Sequence, residues 1–157
     1  MGIKLYIKDD LGREFTNREW ANSDTKDFAG LFISEKKCLN EVEKYFHLNL
    51  NHFKQIQDMS GIDGEEVKET WFEIFLFLSE VKGLKRTLAN ISTPFGLNIQ
   101  GLQTDLRESY GFDARFYIEE VTDYIQCGAL YEDLEDLERL LFFLLHTKAK
   151  RIHLSYA

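Results

Sequence analysis

The chain has one proline and two cysteines in 157 residues, contains no CxxC pair, and lacks any uncharged apolar stretch of the roughly 18 residues that a membrane helix needs. The scarcity of cysteine excludes a disulfide-dense scaffold, so Cys38 and Cys127 are expected to be reduced and partly buried. The opening MGIKLYIKDD has no cationic segment leading into an apolar one, as a secretory leader would. Tyr6 occupies the position where myristoylation of Gly2 calls for serine or threonine. These absences predict a soluble, cytoplasmic protein. Internal repeats, low-complexity tracts and linkers are also missing, which predicts one domain over residues 1–157. A chain of this length buries roughly two thirds of its unfolded surface, enough for one real core.

Positive charge is in short supply as well. Nineteen Lys and Arg face twenty-seven Asp and Glu, for a formal net charge of −8. Nonspecific nucleic-acid binding depends on Lys and Arg displacing counterions from phosphates, so no nucleic-acid partner is expected. Adhesion to anionic lipid is disfavoured on the same ground. A basic protein, by contrast, is attracted at long range, and complementary potentials raise association rates at low salt.

Local signatures of catalysis are absent too. No serine has a G-x-S-x-G setting. Gly96 and Gly101 have the outer spacing of a phosphate loop, but Leu102 and Gln103 follow where lysine and serine or threonine are required. Both cysteines fall on predicted apolar faces, where a small buried thiol is expected rather than a nucleophile. Glu65, Glu66, Glu69 and Glu73 offer carboxylates along a predicted helix. The Glu-x-x-His pattern of a carboxylate-bridged metal centre is nevertheless missing, because His47, His52, His146 and His153 are preceded three residues earlier by Lys44, Asn49, Phe143 and Lys150. The four acids read as a solvated stripe. No metal and no cofactor are expected.

What the chain does have is clear hydrophobic periodicity. Ile3, Leu5 and Ile7 alternate with polar neighbours, and Asp9-Asp10-Leu11-Gly12 supplies a turn before a second strand near Arg13–Thr16. Residues 17–30 read as a loop pinned by Trp20 and Phe28. Ser34 can cap a helix with inner face Cys38, Leu39, Val42, Tyr45 and Phe46, and Asn49 can cap another carrying Phe53, Ile56 and Met59. Asp63 and Glu66 have capping-box spacing, with Ile62 and Val67 as a staple, and this predicts a central helix along Val67, Trp71, Ile74, Leu78 and Val81. Gly83 is expected to relax or kink it, and Pro94 to end the run. Residues 95–101 suit a strand or a loop on the core equally. Helices are predicted over Thr104–Tyr110 and from Asp113 onward, the latter burying Tyr117, Ile118, Val121, Tyr124 and Ile125. Beyond Gly128, Leu130, Leu134, Leu137, Leu141 and Leu144 keep a period of 3.6, and Ile152, Leu154 and Tyr156 alternate as a closing strand beside the N-terminal hairpin. The fold class is α+β, mostly helical, with a small antiparallel sheet of the N-terminal hairpin and the C-terminal strand.

Thirteen Phe, seven Tyr and two Trp exceed what such a core takes from aromatics, so some are expected at the surface or in an interface. The most informative segment is YEDLEDLERLLFFLL, residues 131–145. Glu132, Asp133, Glu135, Asp136 and Glu138 are threaded through its leucine stripe and are expected on the side opposite the leucines, as a surface that a Lys- and Arg-bearing partner could read. Acids also stabilise the first turns of a helix through its macrodipole. The one dense basic cluster, Lys148, Lys150 and Arg151, suits a helix C-terminus and the edge of a terminal strand. In size, charge and this acidic segment the chain resembles bacterial toxin-immunity proteins as a class. That resemblance implies a non-catalytic protein that covers a basic toxin, such as a nuclease, with carboxylates paired to the toxin's cations and aromatics forming a desolvated centre. Two other readings are an enzyme or small-ligand sensor with a site assembled from scattered residues, and a structural subunit of an oligomer.

Overall fold

The computed structural model describes residues 5–16, 36–48, 50–58, 68–91, 93, 97–113 and 117–156. In chain order these form β1 (Leu5–Asp9), β2 (Glu14–Thr16), α1 (Lys36–Phe46), a 3₁₀ turn (Phe53–Gln55), β3 (Gln57–Asp58), β4 (Trp71–Glu73), α2 (Ile74–Ala89), α3 (Leu102–Tyr110), α4 (Val121–Gln126), α5 (Ala129–His146) and β5 (Arg151–Tyr156). The class is α+β, and the predicted hairpin and closing strand are both present.

β5 is the centre of the sheet. It pairs antiparallel with β1 through Ile7↔Leu154 and its neighbours, and β1 pairs with β2. Its other edge is shared by β4, antiparallel at Trp71–Glu73, and β3, parallel at Ser155 and Tyr156. A strand paired on both edges and packed on both faces buries its polar residues too. His153 and Ser155 lie inside along with Ile152 and Leu154. The His153 Nδ1 is 3.0 Å from the Thr70 carbonyl, the Trp71 ring lies across it, and Lys8 bonds Glu69 at 2.8 Å beside them.

β4 corrects the expected course of the central helix. The capping box at Asp63 and Glu66 lies outside the described residues, but residues 68–73 are not helical, and the helix starts at Ile74. Trp71, Phe72 and Glu73 alternate out, in, out. Aromatic residues at that spacing satisfy a period of two as well as a helical one, and the open edge of β5 decides between them. α2 then runs through Gly83 unbroken to Ala89, with Ile74, Phe77, Leu78, Val81, Leu84 and Leu88 buried.

The helix expected after Asn49 is likewise replaced by the 3₁₀ turn and β3. Asn49 and Met59 lie outside the described residues, while Phe53 and Ile56 are buried as expected. The Glu80 carboxylate of α2 accepts the backbone N–H groups of His52 and Phe53, and the Gln57 side chain bonds Lys68 O and Thr70 N. These tertiary partners satisfy the backbone that a helix would otherwise have to satisfy. Among the described residues the α-helix expected from Asp113 begins at Val121, where the Asp123 carboxylate accepts the N–H groups of Glu119 and Glu120; residues 114–116 lie outside the described set. Tyr117 is therefore exposed rather than buried, although it stacks on Phe112 at 5.1 Å as the staple spacing suggests. In α1, Leu39 and Val42 are inside, but Tyr45 is half exposed. Ser34, Pro94 and the loop with Trp20 and Phe28 are outside the described residues. Leu97–Gly101 is turn rather than strand, with Ile99 buried.

The leucine stripe of α5 is buried throughout and packs against α2, which runs antiparallel to it. Lys85 of α2 meets Glu138 at 2.7 Å, Lys82 lies over the Phe142 ring, and Ile74 N–H bonds Lys150 O at 2.9 Å. Gly128 is obligatory at the start of α5. Its φ is +83°, and a Cβ there would lie 2.9 Å from Leu102 Cβ and 3.1 Å from Ile99 O.

Candidate functional site

The structure separates the five acids of α5. Asp133 and Asp136 are each 1 % exposed, so they do not lie on a solvated face. Asp133 accepts the Tyr124 hydroxyl at 2.5 Å, and Asp136 is paired with Arg139 one turn on. The helical period explains the burial. Asp133 falls three residues after Leu130 and four before Leu137, and Asp136 four before the buried Leu140, so both stand beside the apolar stripe. Glu132 and Glu138 keep part of their surface but are tied to bases of neighbouring helices, Glu132 to Arg107 at 3.2 Å and Glu138 to Lys85 at 2.7 Å. Glu135 is half-buried at the mouth of a groove. The single five-acid surface expected from the segment is thus corrected to three glutamates, two of them neutralised within the chain.

That groove has a volume of 340 Å³ and lies between the start of α3 and the first half of α5. Gln103, Arg107, Tyr131, Glu135, Asp136 and Arg139 are among its walls. Gln103 is buried and donates to Cys127 O at 2.7 Å while accepting from Arg107, which fixes the guanidinium toward Glu132. Burial raises the Tyr131 hydroxyl above the ordinary tyrosine value, opposed by the charge of nearby Lys85, whose ammonium lies 5.2 Å from the ring. The groove holds polar groups of both signs, of which Arg107 is paired with Gln103 and Glu132, and Arg139 with Asp136.

The surface beyond the groove, from the end of α3 over α4 to α1, carries exposed aromatics and acids. Tyr45, Tyr110 and Tyr117 each expose half or more of their surface. Arg107 links Glu132 to Asp113 at the end of α3, Phe112 stacks on Tyr117, Glu119 and Glu120 open α4, and Thr122 of α4 faces Glu41 and Tyr45 of α1 across a shallow apolar cleft floored by Ile125. Asp105 and Glu108 of α3, Glu119, Glu120 and Asp123 at the start of α4, and Glu41 of α1 are exposed, as is Lys44, which lines the same cleft. The sequence signal was available in the tyrosines, which sit next to acids in ESYGFD and FYIEE, but helix-face assignments hid it.

The remaining candidates disperse. Of the four glutamates expected as a helical stripe, Glu65 and Glu66 lie outside the described residues, Glu73 sits in β4, and Glu69 is held below the usual carboxylate range by its hydrogen bond from Lys8. Among the described residues no group of three His, Cys, Asp or Glu is arranged to hold a metal ion. His52 meets the Glu80 carboxylate through Nδ1, but that carboxylate is also the cap of the 3₁₀ turn and so serves the backbone. Cys127 is buried, as expected, with its Sγ 3.8 Å from Tyr124 O. The Cys38 side chain lies outside the described set. Lys148, Lys150 and Arg151 are exposed at the end of α5 and the start of β5. No described helix is long and apolar enough to cross a membrane.

No protein-family model, no curated protein and no solved structure matches this chain.

Proposed function

We propose that this chain is a non-catalytic, acidic protein-binding domain whose target is a basic protein, and that it acts as an inhibitor of the toxin-immunity kind, covering a basic toxin such as a nuclease. The observation that carries the reading is the band of exposed tyrosines set among carboxylates, from Tyr110 and Tyr117 to Tyr45, on a chain of net charge −8. Tyrosine supplies apolar area with few rotatable bonds and a polar end, which makes it a favoured anchor at interfaces, while rim acids steer a cationic partner and set register. Of the five acids of α5, Glu135 adds to the negative surface, Glu132 and Glu138 are paired with Arg107 and Lys85, and Asp133 and Asp136 belong to the core.

The test is capture at low salt from native lysate with elution by a salt gradient, run in parallel with a variant carrying Glu108→Lys, Glu119→Lys and Glu120→Lys. A basic protein retained stoichiometrically by the wild-type chain and released early by the variant supports the reading; equal retention by both discards the acidic band as its site. A small-ligand sensor is the second reading, favoured by the charge-lined groove at Arg107, Tyr131 and Arg139. Its mark is thermal stabilisation by a metabolite that is lost in Arg139→Ala.

A further inference from the structure

The groove between the start of α3 and the first half of α5 holds one carboxylate more than its own bases pair. Arg107 and Arg139 line it, together with Glu132, Glu135 and Asp136. Arg107 is taken by Glu132 and Arg139 by Asp136. Glu135, half-buried, makes no hydrogen bond and no ion pair with the described residues. A carboxylate that gives up part of its water without a partner is unfavourable unless a donor is supplied from elsewhere.

Tyr131 is the second, independent feature. The residue is 6 % exposed and lines the same groove, yet its hydroxyl has no hydrogen-bond partner among the described residues. The Lys85 ammonium lies 5.2 Å from the centre of its ring and is bonded to Glu138. A tyrosine hydroxyl buried to this degree is ordinarily hydrogen-bonded. Residues 131 and 135 are one turn apart on α5, a spacing that puts their Cβ atoms about 6 Å from each other. The Glu135 charge also acts on the Tyr131 hydroxyl. The two unspent groups are therefore neighbours on one wall of the groove.

We propose that this groove binds a small organic amine, whose primary ammonium bonds the Glu135 carboxylate and the Tyr131 hydroxyl together. The proposal rests on the small-ligand reading of the groove and gives that ligand a chemical class. An ammonium carries three donors and no acceptor, and the vacant partners here are a carboxylate and a phenolic oxygen, both able to accept. Charge points the same way. A single cation balances the surplus carboxylate, and a chain of net charge −8 draws cations toward it. An anion would need one of the two arginines to leave its present carboxylate. A divalent metal ion takes more oxygen ligands than one free carboxylate and a neutral phenol provide.

The experiment titrates the full, isotope-labelled chain with n-butylamine at neutral pH and follows the amide resonances by NMR. The controls, n-butanol and butyrate, have the same chain with a neutral and an anionic head. Saturable shifts centred on Tyr131 and Glu135, at a concentration of n-butylamine at least about tenfold below that of either control, support the proposal. Glu135→Gln should weaken n-butylamine by about tenfold or more, and Tyr131→Phe by about threefold, as expected for a charged and a neutral hydrogen bond. Glu135→Gln keeps the size of a side chain that has no partner to lose, so its melting temperature should hold. Glu119→Gln removes an acid outside the groove and should leave the affinity unchanged. The proposal is overturned by unchanged affinity in Glu135→Gln, by an equal loss in Glu119→Gln, by n-butanol binding as well as the amine, or by none of the three probes giving saturable shifts. Butyrate saturating the groove in place of n-butylamine overturns it too but leaves the small-ligand reading standing, since that reading falls only on its own thermal test with Arg139→Ala.

Discussion

The two halves of α5 invert what polarity alone leads one to expect. In the first half the acids Asp133 and Asp136 are inside the protein; in the second half Phe142 and Phe143 are nearly half exposed. The difference lies in the surroundings of each half. The first is enclosed by α3 and α4 along with α2, so the faces beside the leucine stripe are covered whatever residue they carry. Among the described residues the second has α2 and the β1–β2 hairpin for company, and Phe142 and Phe143 stay nearly half exposed. A buried carboxylate is tolerable only with donors, which Tyr124 and Arg139 provide, and an exposed phenylalanine only at some cost in solvation that Arg13, Lys82 and Phe15 partly offset. Helix position relative to neighbouring elements decides burial, and polarity then decides which contacts must be supplied.

The sharpest way to break this comparison is to remove the donor to Asp133. Tyr124→Phe is expected to destabilise the fold by about 2–3 kcal/mol, since hydrogen bonds to buried charged groups are among the costly ones to lose. Adding Asp133→Leu should restore part of that loss, and urea denaturation of the two variants measures both. A restored stability shows that the buried acid is a liability its neighbours neutralise; a further loss shows that Asp133 serves more of the structure than the tyrosine.

Next in size is the link between α2 and α5. Lys85→Ala is expected to cost about 1 kcal/mol, because the partner Glu138 is largely shielded and the pair is better placed than a surface bridge. The double variant with Glu138→Ala should be less than additive.

The alkaline limb tests the same region by titration. Folding raises Tyr131 by burial and raises Lys8 through its hydrogen bond to Glu69. Both groups hold a proton more tightly in the native state, so their stability contribution is complete below the unfolded values and is lost as pH rises through them toward the folded ones. Stability should fall with pH above the ordinary tyrosine range, and the slope should be shallower in Tyr131→Phe.

The smallest effect is expected at the open end. Phe142→Ser should change stability by no more than about 0.5 kcal/mol while lowering aggregation, which sedimentation and denaturation together report. A loss of several kcal/mol would mean that Phe142 belongs to the core after all.

Elements with an internal signal were legible from the chain. The α5 stripe, β1 and β5, and the end of α3 before Gly111 follow from periodicity and caps that need no knowledge of the rest. Residues 68–73 were not, because Trp71 and Phe72 satisfy both periods and the deciding factor is the vacant edge of a strand eighty residues later in the chain. The same holds for residues 50–58, whose backbone is capped by Glu80 from α2. For the site, the acids of α5 were found but misplaced. Counting from Leu130 and Leu137 would have put Asp133 inside, yet a carboxylate reads as solvated by default. The tyrosine band was missed because it is assembled from α1, the α3–α4 connection and α4, and its exposure depends on a helix that starts at Val121 instead of at Asp113.

The central place of β5 also sets a timetable. β1, β3 and β4 all pair with this one strand, and contacts such as Lys150 N–H to Asp10 span 140 residues of chain. A ribosome delivers β1 first and β5 last of the sheet, so the N-terminal hairpin waits with an unpaired edge throughout synthesis, the interval in which strand edges are open to wrong partners. A chain released before Arg151 has the β1–β2 hairpin and the strands β3 and β4, with nothing to join the three pieces into a sheet.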